Sequence, residues 1–418
     1  MMNEKPLRIL FIVPYPPSLI RVRAYNLIRQ LTGLGHEVTV VTLYSDTAEK
    51  SDVDHLAAYC HRIIGLPLPK WRSLWNCLKA LPTKKPLQAV YCWQPALARR
   101  LAELVRPTGK GTAFDVVHVE HLRGAEYGLF LKAHFQANGP TLPIVWDSVD
   151  CISYLFRQTA AASNSRFGSL AARLDLARTE RHEGWLANRF DHVLITSAID
   201  KQALLDLLPS QECRPSISII PNGVDLDYFC PETDINREPD TLVLSGKMSY
   251  HANVTMALYL AREIMPRIWT QRPDVKLNIV GKSPPKEITA LAQQPGMVVT
   301  GMVPDIRPYL RRATAAVVPL VYGAGVQFKV LEAMACATPV VTTPQAAAPL
   351  AAVPGRDVLT AEDADDFAGI ILKLLSDQEM QRRVGAYGRA YVETHHNWTT
   401  ITTRLAEIYR EAGPKLPV

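Results

Sequence analysis

The segment Ala315–Gln345 (AAVVPLVYGAGVQFKVLEAMACATPVVTTPQ) combines a small-residue loop with charged side chains at helical spacing. An apolar run ends near Leu320, Gly323-Ala324-Gly325 makes the loop, and a helical pattern starts near Gln327. A glycine loop that opens a helix presents backbone N–H groups at the positive end of the helix dipole, which suits a diphosphate. Lys329 in the first turn adds a point charge. Glu332, one turn on, is placed to accept hydrogen bonds from ribose hydroxyls. A nicotinamide-dinucleotide loop is the rival, because Gly323-x-Gly325 begins its glycine pattern. Phe328 stands where the third glycine is needed, and no Asp or Glu lies about 20 residues further on, where a ribose ligand is expected.

Other residues could also do chemistry. His118 lies inside an apolar run and reads as a buried, hydrogen-bonded histidine. His121 follows that run, at a sheet rim where active-site groups collect, with Glu120 beside it. Asp147 and Asp150 follow another run and would point into a cleft, as base and orienter for an acceptor hydroxyl. The alternative for this pair is a helix N-cap and turn. Asp225-Leu226-Asp227 spells DxD, but inside PNGVDLDYF it reads as a connecting element, and no metal is expected.

The elements that must position these residues alternate. Leu7–Val13, Glu37–Leu43, Asp115–Val119, Pro143–Trp146 and His192–Thr196 are short apolar runs, and so are Thr241–Ser245, Val275–Val280, Met297–Thr300, Ala315–Pro319 and Pro339–Thr342. Near-continuous Val, Ile and Leu predict strands buried on both faces. Helical patterns lie between them, at Arg23–Thr32, Ser169–Asn188, Val254–Thr270 and Lys329–Cys336, so the fold class is α/β with the parallel sheet built twice. Pro221-Asn222-Gly223 and the polar run Pro231–Asp240 mark the seam. The expected organisation is a first domain over 1–220, a linker over 221–240, a second domain over 241–394 and a closing amphipathic helix over 395–418. Periodicity leaves open whether that helix stays with the second domain or crosses back. Two such domains place ligands at the loops after their strands, in a cleft.

Composition narrows the function classes. The chain of 418 residues is 48% apolar and 21% charged, with a formal net charge of +6, too thin an excess for a dedicated nucleic-acid binder. Seven widely spaced cysteines without a CxxC pair fit reduced thiols in a cytosol. The apolar stretch Ile9–Val13 is shorter than a secretory core, and no run approaches the ~18 apolar residues of a spanning helix. A cytoplasmic protein, soluble or lying on the inner face of a membrane, is expected. From His55 to Ala102 there is no Asp or Glu. That stretch holds Arg62, Lys70, Arg72, Lys79, Lys84, Lys85, Arg99 and Arg100, interleaved with Trp71, Trp75 and Trp93. Such a segment fits docking onto an anionic membrane surface, or else a solvated basic face with its tryptophans packed inward.

In order along the chain, Arg8–Pro17, Leu31–Thr42, Phe114–His121, Ser216–Phe229, Gly301–Leu310 and Lys329–Thr342 resemble the retaining GT-B glycosyltransferases of family 4. More narrowly, Trp146–Ser153 and Gly325–Thr342 are similar to exopolysaccharide-associated sugar transferases. The resemblance implies two Rossmann-like doubly wound domains facing across a cleft. It also implies transfer of a sugar from a nucleotide diphosphate donor to a glycan or lipid-linked acceptor, with retention, no cofactor and no obligatory metal.

On this resemblance the donor residues are Gly246, Lys247, Asn253, Val303, Gly323, Gly325, Val326, Gln327, Lys329, Val330 and Glu332. Glu332 matches the second Glu of the family's paired-glutamate motif, whereas Ala324 stands at the first. Lys247 takes the usual Arg place and Asn253 lies near the usual Lys place, so Lys247 and Lys329 are the cations expected to face a leaving diphosphate. His121, or Glu120 beside it, would approach the donor sugar. Many relatives carry a Gly-Gly pair after Pro16-Pro17, where this chain has Ser18–Arg23; Arg21 or Arg23 could supply charge to the donor phosphates, or sit exposed at a helix start. Two rivals follow. One is a silent nucleotide-sugar or carbohydrate binder, motivated by Ala324. The other is a nucleotide-sugar 2-epimerase, which the PNGVD crossing disfavours.

Overall fold

The computed structural model describes residues 5–107, 112–138, 141–162, 166–208, 214–232, 237–322 and 325–413. Among these, the strands form two parallel sheets. The first contains β1 (Arg8–Val13), β2 (Glu37–Tyr44), β3 (Arg62–Pro67), β4 (Val116–Glu120), β5 (Ile144–Val149), β6 (His192–Ile195) and β7 (Ile217–Ile219), in the order β3-β2-β1-β4-β5-β6-β7. The second contains β8 (Thr241–Ser245), β9 (Lys276–Val280), β10 (Met297–Gly301), β11 (Ala315–Val318), β12 (Val340–Thr342) and β13 (Leu359–Thr360), in the order β10-β9-β8-β11-β12-β13. One compact unit runs to Pro221 and takes in the chain from Trp398, and the other spans Asn222–Asn397.

The central strands are those the apolar runs predict, and their residues are almost wholly buried. Three strands absent from the sequence reading, β3, β7 and β13, all lie at sheet edges. There one face or one flank meets solvent, so the apolar signal is diluted: β3 reads RIIGLP, and β13 has two residues. The helical pattern at Val254–Thr270 is interrupted. His251–Tyr259 is α-helical, Leu260–Ile264 makes a π turn, and Met265–Trp269 resumes the α-helix. Pro266 has no N–H to give the carbonyl of Arg262, and the wider turn absorbs the missing bond.

The order of each sheet fixes where loops can gather. The winding reverses between β1 and β4 in the first sheet and between β8 and β11 in the second. At such a switch point the two neighbouring connections leave to opposite sides and open a crevice at the carboxyl ends of the strands. The residues after β1, β4, β8 and β11 therefore border these crevices.

The closing helix, Trp398–Glu411, packs on the first unit. Ile401, Leu405, Ile408 and Tyr409 are buried, and the Tyr409 hydroxyl hydrogen-bonds His118 Nδ1 at 2.8 Å. His118 is buried as expected, and its ring stacks on Phe11. Its other nitrogen, Nε2, has no hydrogen-bond partner among the described residues and lies 3.9 Å from Asp147. Residues 222–232 and 237–240 do not form a free linker. Arg389 donates to the carbonyls of Phe229 and Ala335, and Arg237 donates to those of Ala313 and Ala337, which tie this stretch into the second unit.

Two expectations need correction. Asp147 does not follow its strand; it lies within β5, fully buried, and Arg23 is buried with it. The Arg23 guanidinium donates to Asp147 Oδ2 at 3.0 Å through Nε, lies 2.9 Å away through Nη2, and reaches the Pro221 carbonyl at 3.3 Å. The apolar run ends at Trp146 while the strand continues, because a paired charge can be buried where a lone one cannot. Removing one partner should be costly. Arg23→Ala is expected to destabilise the first unit by about 3–5 kcal/mol, whereas Arg23→Met with Asp147→Leu should recover most of that loss. Urea unfolding of the three proteins checks this.

Candidate active site

In the first unit the site grows from the ends of β1 and β4. The Pro14–Arg21 loop after β1 brings Tyr15 to Glu120, the last residue of β4, and the Tyr15 hydroxyl donates to Glu120 Oε1 at 3.2 Å. Glu120 Oε2 is buried with no hydrogen-bond partner among the described residues. Burial, reinforced by Asp147, pushes the Glu120 carboxyl up to about 8, so it is uncharged at neutral pH. His121 begins the His121–Asn138 helix with left-handed backbone, φ +65°. Val149, at the end of β5, has φ +68°. Such backbone is costly for residues with a Cβ, and above all for a β-branched one. Strain of this kind gathers at functional sites.

The chemistry open to His121 follows from its contacts. Its Nδ1 accepts the Arg123 N–H at 3.2 Å, which places the ring proton on Nε2. Burial, with Arg123 beside it, pushes the imidazole down to about 3. His121 is thus a neutral hydrogen-bond donor, suited to an uncharged hydroxyl. The buried Trp146 indole donates to its carbonyl at 3.4 Å, and the Tyr15 ring stands edge-on to the imidazole.

Arg21 is not free to meet a ligand: it bonds Glu49 at 2.6 Å and lies over the Tyr15 ring. Asp150 accepts the Thr196 hydroxyl at 3.0 Å, and burial with nearby Asp200 pushes it up to about 6. Arg23 and Asp147 are committed to each other beneath the loops. Of the acceptor-side candidates, Asp150 alone stays at a strand end with an elevated carboxyl.

In the second unit the loop after β8 supplies Gly246, with φ +148°. A Cβ there would lie 2.8 Å from Asn253 Nδ2 and 3.4 Å from Lys329 Cε, and one on Gly281 would collide with the Gly246 carbonyl. Glycine at 246 therefore lets Asn253 and Lys329 close on the same backbone. Asn253 Nδ2 donates to the Lys247 carbonyl at 2.9 Å, and the Lys247 side chain is exposed. The loop after β11 reaches the Phe328–Ala335 helix, where the N–H groups of Phe328 and Lys329 precede the first helical bond, from the Val330 N–H to the Gln327 carbonyl. Lys329 Nζ donates to Gln327 Oε1 at 3.2 Å. Burial holds Lys329 down at about 8 and lifts Glu332 to about 7, each opposed by the charge of the other.

Gly246, Lys247, Asn253, Gln327, Lys329 and Glu332 thus gather, beside Gly325 with φ +71°. Gly323, like Ala324, lies outside the described residues. Val330 is a correction: it is fully buried, and its N–H is spent on the Gln327 carbonyl. Val326 is buried too, and Val303 packs against the core of the second unit. Asp225 of the DxD caps a turn by accepting the Tyr228 N–H at 3.0 Å. Sequence reasoning missed Tyr15 and the hydrogen-bonded pair His251 and Tyr322, which joins the loops after β8 and β11. The position of Tyr15 after a buried strand was the available signal.

Two family models match: Glycosyltransferase Family 4 over residues 20–228, half of the chain, and Glycosyl transferases group 1 over 239–377. The chain belongs to glycosyltransferase family 4. Among its relatives is the GDP-mannose-dependent monoacylated alpha-(1-6)-phosphatidylinositol monomannoside mannosyltransferase of Corynebacterium glutamicum. It is 26% identical over 47% of this chain and 56% of its own length. The D-inositol 3-phosphate glycosyltransferase of Corynebacterium jeikeium is 22% identical over 73% and 74%. The family 4 chain thus spans about half the length of the first and three quarters of the second. Among solved structures, the sucrose-phosphate synthase from Thermosynechococcus elongatus matches with TM-score 0.72 at 19% identity, over 97% and 98% of the two chains. Anabaena Alr3699/HepE in complex with UDP and glucose matches with TM-score 0.64 at 15% identity, over 97% and 100%. These likenesses give the fold as GT-B, with two Rossmann-like units, as expected.

The Glu120 carboxyl yields a signed prediction. Its folded-state value lies above the ordinary 4.5, so the stability it confers is complete below 4.5 and is lost as pH rises through about 8. Glu120→Gln should therefore hold its melting temperature between about pH 4.5 and 8, where the unsubstituted protein declines. Thermal unfolding across this pH range checks it.

Proposed function

We propose that this chain is a retaining, metal-independent glycosyltransferase that moves a sugar from a nucleotide diphosphate sugar to a glycan or lipid-linked acceptor, in the synthesis of exopolysaccharide or another cell-envelope glycan. The observation that carries the reading is the gathering of Gly246, Asn253, Lys329 and Glu332 at the switch point of the second sheet. There the N–H groups of the Phe328–Ala335 helix and the Lys329 ammonium would hold the diphosphate, with Lys247 as a second cation. Glu332 would accept from the ribose hydroxyls. As the anomeric C–O bond breaks, its electron pair leaves with the diphosphate, and cations placed in advance stabilise that charge. In the first unit His121 would donate to a hydroxyl of the transferred sugar, with Asp150 on the acceptor side.

Relatives support the reading without fixing the donor. The Corynebacterium glutamicum relative is named for GDP-mannose, whereas HepE was solved with UDP. A cytoplasmic location supplies nucleotide sugars. The basic segment 55–102 would bring the enzyme to the inner membrane face, where a lipid-linked acceptor lies.

Calorimetric titration with UDP, GDP and ADP tests the donor site. One nucleotide should bind, with affinity lowered about tenfold or more in Glu332→Ala by loss of a charged hydrogen bond. Binding should also weaken as pH rises through about 8, where Lys329 loses its proton, and Lys329→Met should flatten that dependence. Unchanged affinity in Glu332→Ala would remove Glu332 from the site. Binding without transfer to any acceptor would favour the silent binder that Ala324 motivates.

A further inference from the structure

The Lys70–Ala80 helix is built inside out. At about 100° per residue, Ser73, Asn76, Cys77 and Ala80 share one face, and Trp71, Leu74, Trp75 and Leu78 share the opposite one. The small and polar face is the inner one. Ser73 and Ala80 are buried, and Asn76 Nδ2 donates to the Trp93 carbonyl at 2.8 Å. The large apolar face meets solvent, with Trp71 62%, Leu74 62%, Trp75 48% and Leu78 49% exposed, and Leu81 beyond the helix end 51%. Of the three tryptophans in the basic segment, Trp93 packs inward on Tyr127 and Phe130, but Trp71 and Trp75 do not.

Cations flank the stripe. The Arg72 guanidinium lies over the Trp71 ring and the Lys79 ammonium over the Trp75 ring, while Lys70 and Lys84 are exposed. Lys85 is held by Glu126 at 2.7 Å. No acidic residue lies between His55 and Ala102. An apolar stripe bordered by Lys and Arg, with exposed Trp, is the pattern of a helix lying in a headgroup layer. Against a second copy of this chain, a two-fold contact would set like charges against each other. The helix follows the carboxyl end of β3, so it starts at the sheet edge that carries His121 and the Pro14–Arg21 loop.

We propose that the outward face formed by Trp71, Leu74, Trp75 and Leu78 inserts among the headgroups of an anionic lipid bilayer, with Lys70, Arg72, Lys79 and Lys84 binding its phosphates. Docking by this helix sets the acceptor edge of the first unit against the membrane, and so selects a lipid-linked acceptor. For that purpose it rests on the transferase reading. Among the described residues no helix is long and apolar enough to cross a membrane.

Flotation of the full chain with vesicles tests it, using phosphatidylcholine alone or mixed with phosphatidylglycerol. The protein should float with the anionic vesicles and not with the neutral ones. Trp71→Ser with Trp75→Ser, and separately Arg72→Glu with Lys79→Glu, should each lower the bound fraction about tenfold. Nucleotide titration of the same variants without vesicles should match the unsubstituted protein, showing that the fold is kept. Absence of flotation with anionic vesicles, or undiminished flotation of the tryptophan variant, overturns the proposal. So does a dimer in light scattering that the tryptophan variant converts to monomer. The two readings fail separately: a chain that floats but binds no nucleotide loses the donor site and keeps the docking helix, and the converse result does the opposite.

Discussion

A parallel strand buried on both faces can carry almost no chemistry along its length, and this constraint orders the whole molecule. The interiors of β1, β4, β8 and β11 are spent on Val, Ile, Leu, Phe and Ala, with His118 the one imidazole among them. Every group able to meet a ligand is pushed to the carboxyl ends, and the strand order gathers those ends at two switch points. Gly246 and the Phe328–Ala335 helix at one, and Tyr15, Glu120 and His121 at the other, stand where they do for that reason.

Charge is admitted into this apolar frame only on terms that neutralise it. Arg23 and Asp147 enter together, and their pair lets β5 run past its apolar segment to the strained Val149. Glu120 enters alone and is kept protonated, while His121 enters as a neutral imidazole whose tautomer is set by the Arg123 N–H. Lys329 and Glu332 enter as partners, each moderating the shift that burial imposes on the other. The same low dielectric that makes these groups costly would make them strong toward a ligand that fits.

What the sequence disclosed followed the strength of its periodic signal. The central strands and the helix beginning at Phe328 were legible because continuous apolar runs and a glycine loop have few other uses. Edge strands such as β3 were not, since a half-solvated flank dilutes the pattern. The seat of Arg23 was hidden because its partner is 124 residues away, and nothing local distinguishes a buried arginine from a surface one. Trp71 and Trp75 were ambiguous for another reason. Their 3-4 spacing with Leu74 and Leu78 is that of any core-facing helix, and only the small inner face of Ser73, Cys77 and Ala80 shows which way the stripe turns.

The two switch points also differ in electrical character. In the second unit a helix N-terminus and the Lys329 side chain stand beside a loop held open by Gly246, an arrangement matched to a group that carries negative charge. In the first, the candidate is an uncharged imidazole beside an uncharged carboxyl, which would gain little from a phosphate and much from a hydroxyl. A nucleotide diphosphate sugar has both kinds of surface, anionic at one end and hydroxylated at the other. A chain that places cations in one Rossmann-like unit and neutral donors in the other divides its chemistry along the same line as that molecule.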